Sequence, residues 1–305
     1  MSSSTSSFKT FTVAFVVLFS LSILGFVAGS ELLIRFLVAP GNSYDAVKHA
    51  FHSGRDTAVV FGDSRAVSGF VPGSGYANFA SKGENLETTL GKLNAYIASG
   101  RRGNVLLQLD PQHFSFYRQR LAQAELLEDF LNPDSRGLQM LRPHFRRYLF
   151  EYWAAIWRDP ARLFADPEEI VSDDPNPIVK LSDMPADAQR RQAMIRTQLH
   201  IPVPGYADTA DMMRLRETLT RARNAGVAIC IVTFPVGSAY REAADHYPVF
   251  ADIRAEYGAL AADAGLIYVN LWDEYEDDNF DNVDHLNSIG ARRLNTDLRN
   301  ACKAP

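Results

Sequence analysis

Residues 57–64, TAVVFGDS, open on a β-branched apolar run and stop abruptly in turn residues. A run of that length, bounded that way, reads as a buried strand that delivers its last residues to the end of a sheet. Three further segments have the same character: 103–111 (GNVLLQLDP), 226–235 (GVAICIVTFP) and 265–272 (GLIYVNLW). YANFAS, 76–81, supplies a short fifth strand. Leu86, Leu90, Leu93 and Ile97 trace one helical face that stops at Gly100. Helical segments also precede the third and fourth strong strands, at 212–224 and 250–264, and a last one occupies 288–301. Near-continuous apolar strands separated by helices predict an α/β fold with a parallel sheet covered on both faces. Right-handed crossovers make it doubly wound.

The stretch 116–204 breaks this rhythm. It carries aromatic helical pieces, most clearly HFRRYLFEYWAAIWRDP, and the Pro/Asp-rich section FADPEEIVSDDPNPIVKLSDMPAD. It reads as a helical insertion that ends in a long irregular loop, a lid, a partner surface or a tolerated addition.

At the other end of the chain, no charge occurs from Phe11 to Ser30. Twenty such residues at ~1.5 Å each cross a ~30 Å hydrocarbon core. The reading is a polar tail at 1–10, an anchor helix at 11–38 and a juxtamembrane linker at 39–54. The alternative, a signal peptide cut near Val27-Ala28-Gly29, needs a shorter apolar core than this. Lys9 before the span, with no positive excess after it, places the tail in the cytoplasm and the C-terminal part outside.

With 47% hydrophobic and 22% charged residues and a formal net charge of −5, the chain is of globular composition. It lacks the basic footprint of a nucleic-acid binder. Cys230, inside an apolar run, reads as a small buried hydrophobe, and nothing in the sequence pairs it with Cys302. His49 and His52 lie one helical turn apart without further ligands, and the acidic run 273–281 reads as a solvated loop, so no metal site is expected.

Ligands of an open parallel sheet bind beyond the carboxyl ends of its strands. Ser64 ends the first strand there. His285, within NVDHLNSIGA and just before the last helix, belongs on the same edge. Serine needs a base to become a nucleophile, and a carboxylate to fix the tautomer of that base. Asp284 and Asp281 are the nearby acids, and the residues leave the choice open. Arg65 is a candidate for an anionic substrate or transfer partner, and Asp110, beside His113 at the end of the second strong strand, for substrate contact.

GDSR after the first strand and DHLNSIGA before the last helix resemble the SGNH (GDSL-type) hydrolase superfamily. They are most similar to its membrane-anchored, DHLN-containing bacterial branch, which includes relatives of the D-alanyl-lipoteichoic-acid transfer protein and of alginate O-acetylation proteins. YANFASKGENLETTL resembles the second motif of the family, with Asn78 opening it and Gly83 as its glycine. The similarity covers about 57–301 apart from the insertion. It implies a flavodoxin-like sheet, Ser64 as nucleophile, His285 as base, and the N–H groups of Ser64 and Gly83 as oxyanion donors. Two positions depart from the pattern. The glycine and asparagine of the third motif are replaced by Leu109-Asp110-Pro111, and the acid three residues before the histidine is Asn282. The resemblance further implies esterase or O-acyltransferase activity on a cell-envelope polysaccharide at the bacterial inner membrane. A membrane-bound O-acyltransferase is the implied partner, and no cofactor is needed. A catalytically degenerate binding or scaffold protein is the alternative.

Overall fold

The apolar runs form one sheet of five parallel strands: β1 (Ala58–Phe61), β2 (Ala77–Asn78), β3 (Asn104–Gln108), β4 (Ile229–Thr233) and β5 (Ile267–Asn270). Their spatial order is β2-β1-β3-β4-β5, with Val59 opposite Val105, Leu106 opposite Cys230 and Val232 opposite Val269. The computed structural model describes residues 4–54, 58–71, 73–119, 123–134, 137–161 and 180–302. Among them the helices are α1 (Ser4–Leu33), α2 (Ser43–Ser53), α3 (Ser64–Gly69), α4 (Leu86–Ala98), α5 (Phe116–Gln119) and α6 (Ala124–Leu131). They continue with α7 (Pro143–Arg158), α8 (Ala186–His200), α9 (Ala210–Asn224), α10 (Ser238–Ala244), α11 (Val249–Ala264) and α12 (Ser288–Ala301).

Successive strand residues point to opposite faces, so a strand that is apolar throughout must be buried twice. Val60, Leu106, Cys230 and Val232 join Ala66 and Phe70 of the α3 region and Leu294 and Leu298 of α12 in one buried cluster. The alternate residues Val59, Phe61, Val105, Leu107, Ile229 and Ile231 are buried as well, and the Phe61 ring lies 5.8 Å from that of Tyr96 on α4. α9 packs against both α4 and α11. The strand order reverses between β1 and β3, and a crevice opens at such a point beyond the strand ends. Gly62-Asp63-Ser64 leaves β1 there, and Leu109-Asp110 leaves β3.

A two-stranded antiparallel ribbon, β6 (Phe280–Asn282) and β7 (His285–Leu286), precedes α12. The acidic run that leads into it has structural work to do: the Asp277 carboxylate accepts the Ser238 N–H at 2.7 Å, at the start of α10.

The described residues divide into two compact units, one drawn from 1–46 and 134–175, the other from 47–133 and 176–305. Much of the supposed insertion 116–204 therefore belongs with the sheet. Ser115 bridges Pro202, the Val203 N–H donates to Phe114 O at 2.9 Å, and α8 packs on α10. Hydrogen bonds between positions nearly 90 residues apart leave no local signal. The irregular section expected at 164–187 lies for the most part outside the described residues. The linker expected at 39–54 is largely helical as α2, and the polar tail is helical from Ser4.

In the first unit, Phe11–Val38 is long and apolar enough to cross a membrane, and most of its large apolar side chains are exposed. Leu33, Ile34 and Val38 at its end form a small core with Met140, Phe145 and Tyr148.

The cysteines are paired, against the sequence expectation. Cys230 in β4 and Cys302 after α12 form a disulfide with a Cα–Cα distance of 5.6 Å, 72 residues apart in sequence. Packing α12 onto the sheet face that carries Cys230 brings them together. Closing a loop of that size constrains the unfolded chain by about 4 kcal/mol. A Cys302→Ser protein is expected to unfold at a correspondingly lower urea midpoint, and dithiothreitol should move the wild type but not the variant. Equal midpoints in all samples would contradict the bridge.

Candidate active site

Ser64 is the first residue of α3, directly beyond β1. Gly62 is demanded by space, because a Cβ there would run into Gln108 Oε1 and Ala66 Cβ. Asp63 caps the helix through Arg65 N–H at 2.9 Å. The Gln108 carbonyl takes the Asp63 N–H at 2.9 Å and the Ala66 N–H at 3.2 Å. Its amide donates to Asp63 at 2.8 Å and to Asp110 at 2.5 Å. Gln112 and Arg118 each reach the other Asp63 oxygen at 2.8 Å. Burial by itself would raise the Asp63 carboxyl, but Arg118, His113 and Arg65 outweigh it and hold the group below the carboxylate range. The turn that presents Ser64 is thus fixed by a buried, charged scaffold.

His285 reaches this turn from the ribbon before α12. Its Nε2 lies 2.9 Å from Ser64 Oγ. Its Nδ1 lies 3.1 Å from Asp284 Oδ1 and 3.1 Å from Asn282 Oδ1. Asn282 Oδ1 also accepts the backbone N–H groups of Asp284 at 3.1 Å and His285 at 2.9 Å. That atom must therefore be the carbonyl oxygen. With only acceptors at Nδ1, the neutral imidazole carries its proton there, and the Nε2 lone pair faces the serine hydroxyl. This is the tautomer a general base needs.

The Asp284 side chain is 2% exposed. Its burial opposes ionisation, yet His285, Arg65 and Arg196 together hold its carboxyl well below the usual range. Arg65 stands 3.4 Å from Asp284 and 3.3 Å from Asp110, and so bridges the histidine's acid to the end of β3. Of the two acids left open by the sequence, Asp284 faces the imidazole. Burial raises the Asp281 carboxyl, and His285 acts on it only through space.

The remaining expected site residues separate by burial. Arg65 and Asp110 are almost wholly enclosed, at 2% and 0% exposure, so they act beneath the site and do not line it. Asp110 accepts the Phe234 N–H at 2.9 Å, and burial raises its carboxyl despite Arg65. Asn78 donates to Ala66 O at 2.9 Å and accepts the Ala80 N–H at 3.1 Å, which ties the loop after β2 to α3. Gly83 sits in that loop with φ +74°, and a Cβ there would meet nothing, so the backbone conformation is what calls for glycine. Ser81 N–H donates to Gly62 O at 3.3 Å and holds the loop against the serine turn.

Gln108, Gln112, Arg118, Arg196 and His200 were missed from sequence. Gln108 alone had a local signal, a polar residue inside the apolar run VLLQL. The others converge only through the tertiary fold.

No protein-family model matches the sequence, and no curated protein matches it.

His200 is buried, with Nδ1 2.8 Å from Tyr240 Oη and 4.0 Å from Asp284. Burial lowers it from 6.5 to about 3, against the pull of Asp284. Between those values the unfolded chain binds a proton that the folded chain refuses, so stability falls as pH falls through this window. The slope is about 1.4 kcal/mol per pH unit for one such group. His113, also lowered by burial, acts with the same sign. In a His200→Gln protein, which keeps an acceptor for Tyr240, the urea midpoint should depend less steeply on pH from 6.5 downward. An unchanged slope would contradict a buried neutral imidazole.

Proposed function

We propose that this chain is a membrane-anchored, extracytoplasmic serine acyl esterase or O-acyltransferase of the SGNH type, acting on a cell-envelope polysaccharide or glycan. The observation that carries the reading is the 2.9 Å contact between Ser64 Oγ and His285 Nε2. It lies at the carboxyl ends of a parallel sheet whose strand order, 2-1-3-4-5, is that of flavodoxin-like doubly wound folds. The anchor-length helix supports the membrane location, and the Cys230–Cys302 disulfide supports an oxidising compartment. The glycan substrate, the bacterial inner membrane and a membrane-bound O-acyltransferase partner rest on the sequence resemblance.

In this mechanism Ser64 Oγ attacks an ester or thioester carbonyl while its proton passes to His285 Nε2. The carbonyl electrons move onto oxygen, where the Ser64 and Gly83 N–H groups are the proposed donors. Arg65 N–H and Ala66 N–H are already taken by Asp63 and Gln108, whereas among the described residues Ser64 N–H has no acceptor. Asp284 stabilises the imidazolium that forms. Collapse expels the leaving group, which takes the proton from His285. Water or a sugar hydroxyl then attacks the acyl-serine by the same route in reverse.

One observation favours a binding or scaffold role instead. The side-chain amides of Asn78 and Gln108 are committed to internal partners, so no side chain is assigned as a further oxyanion donor. A fluorophosphonate probe separates the readings. The catalytic one requires labelling at Ser64, and no labelling across neutral pH in folded protein would favour the scaffold.

A further inference from the structure

Helix α7 buries one apolar face and part of a second, where Trp153 packs against the same core and Phe150 and Trp157 are left bare. Phe145 and Tyr148, fully buried, pack with Leu33, Ile34 and Val38 in the core of the first unit. Phe150, Trp153, Ala154 and Trp157 follow the spacing i, i+3, i+4, i+7 and so form a second stripe along the helix. Phe150 is 74% exposed and Trp157 is 91% exposed. A nearly bare indole and a largely exposed phenyl ring two turns apart on one stripe mark a contact surface.

The occupant of that surface follows from what the stripe adjoins. The Trp153 ring lies 5.9 Å from Phe26 of α1, and its Nε1 donates to Ser30 Oγ at 3.1 Å. Phe26 is itself half exposed and belongs to the apolar segment Phe11–Val38. At ~1.5 Å per residue from Phe11, Ser30 stands about 29 Å along the helix, near the end of a ~30 Å hydrocarbon core, and Phe26 about 22 Å along, roughly one to two turns inside it. The stripe therefore adjoins the bare surface of α1 near the depth where amphipathic tryptophan rings are favoured, with the Trp153 N–H taken up by Ser30 and the Trp157 ring left open. Arg146 and Arg158, both exposed, bracket the stripe in the way that suits lipid phosphates.

We propose that α7 is a second membrane-contact element, lying in the outer interface of the phospholipid bilayer with Phe150 and Trp157 at the boundary between headgroups and acyl chains. The proposal rests on reading α1 as the membrane span.

The test uses the full chain in vesicles of phosphatidylcholine and phosphatidylglycerol whose acyl chains are brominated either near the ester groups or near the chain ends. A Trp153→Phe protein leaves Trp157 and the buried Trp272 as emitters, and Trp153→Phe with Trp157→Phe isolates Trp272. The Trp157 difference signal should lose most of its intensity to the shallow bromines, less to the deep ones and little to aqueous iodide. Strong quenching by iodide would overturn the proposal, and so would protection from both quenchers, which would mean that a protein partner or second copy covers the stripe. Alkaline carbonate washing reads the anchor separately. Retention without lipid quenching sinks only the α7 proposal; release with lipid quenching sinks the span and keeps α7 as an interfacial helix; release without quenching sinks both.

Discussion

Ser64→Ala protein is expected to hydrolyse a simple ester such as 4-nitrophenyl acetate about 10⁶-fold more slowly than the wild type while remaining folded. The large loss follows from the geometry. Ser64 Oγ is the hydroxyl at hydrogen-bonding distance of His285 Nε2, and removing it removes the bond-forming atom. The small structural effect follows too, because the helix cap is Asp63 and the turn is held by Gln108, Gln112 and Arg118. A His285→Ala protein should lose about as much, and the double variant little more, because residues that act as a unit are not additive. Initial rates with matched thermal unfolding curves check all three. Hydrolysis that survives Ser64→Ala at near wild-type rate would remove the serine from the mechanism.

The second large effect concerns the acid. Asp284→Asn should lower the rate, by up to about 10⁴-fold, because a neutral amide replaces the carboxylate that stabilises the imidazolium and competes with Asn282 Oδ1 for Nδ1. This variant also takes one of two carboxylates from the buried Arg65, which costs stability, so a lower rate alone does not identify the role. Asn282 provides the control. It already places an oxygen 3.1 Å from Nδ1, so an aspartate there would bring a carboxylate to the same ring nitrogen. In the Asn282→Asp, Asp284→Asn protein, a carboxylate returns to Nδ1 while Arg65 stays short of its partner. Recovery of much of the lost rate without recovery of stability would assign the orienting role to a carboxylate at Nδ1. Stability and rate that move together would reduce Asp284 to a structural ion.

The local sequence decided the fold class and the two ends of the candidate site. β1 and its GDS turn, the strands of the sheet with their connecting helices, and a histidine just before the last helix are features of nearest-neighbour chemistry. Strand burial shows as composition, helix faces as a 3.6-residue period, and turns as glycine and aspartate. The sequence alone also showed a segment able to cross a membrane, because the bilayer requires length and apolarity and nothing else. Asp110 and Arg65 were legible as residues at the functional edge, but their burial was not, since exposure depends on what packs above them.

Only the three-dimensional structure chose Asp284 over Asp281, because the turn between β6 and β7 sets Asp284 Oδ1 3.1 Å from His285 Nδ1. It alone joined Arg118 to Asp63, Arg65 to Asp284 and Cys230 to Cys302, pairs separated by 55, 219 and 72 residues. It also divided 116–204 between two units. These outcomes share one physical reason. A buried charge, a disulfide or a packed helix is stabilised by a partner that the chain supplies from far away, and no local pattern records which partner the fold will bring.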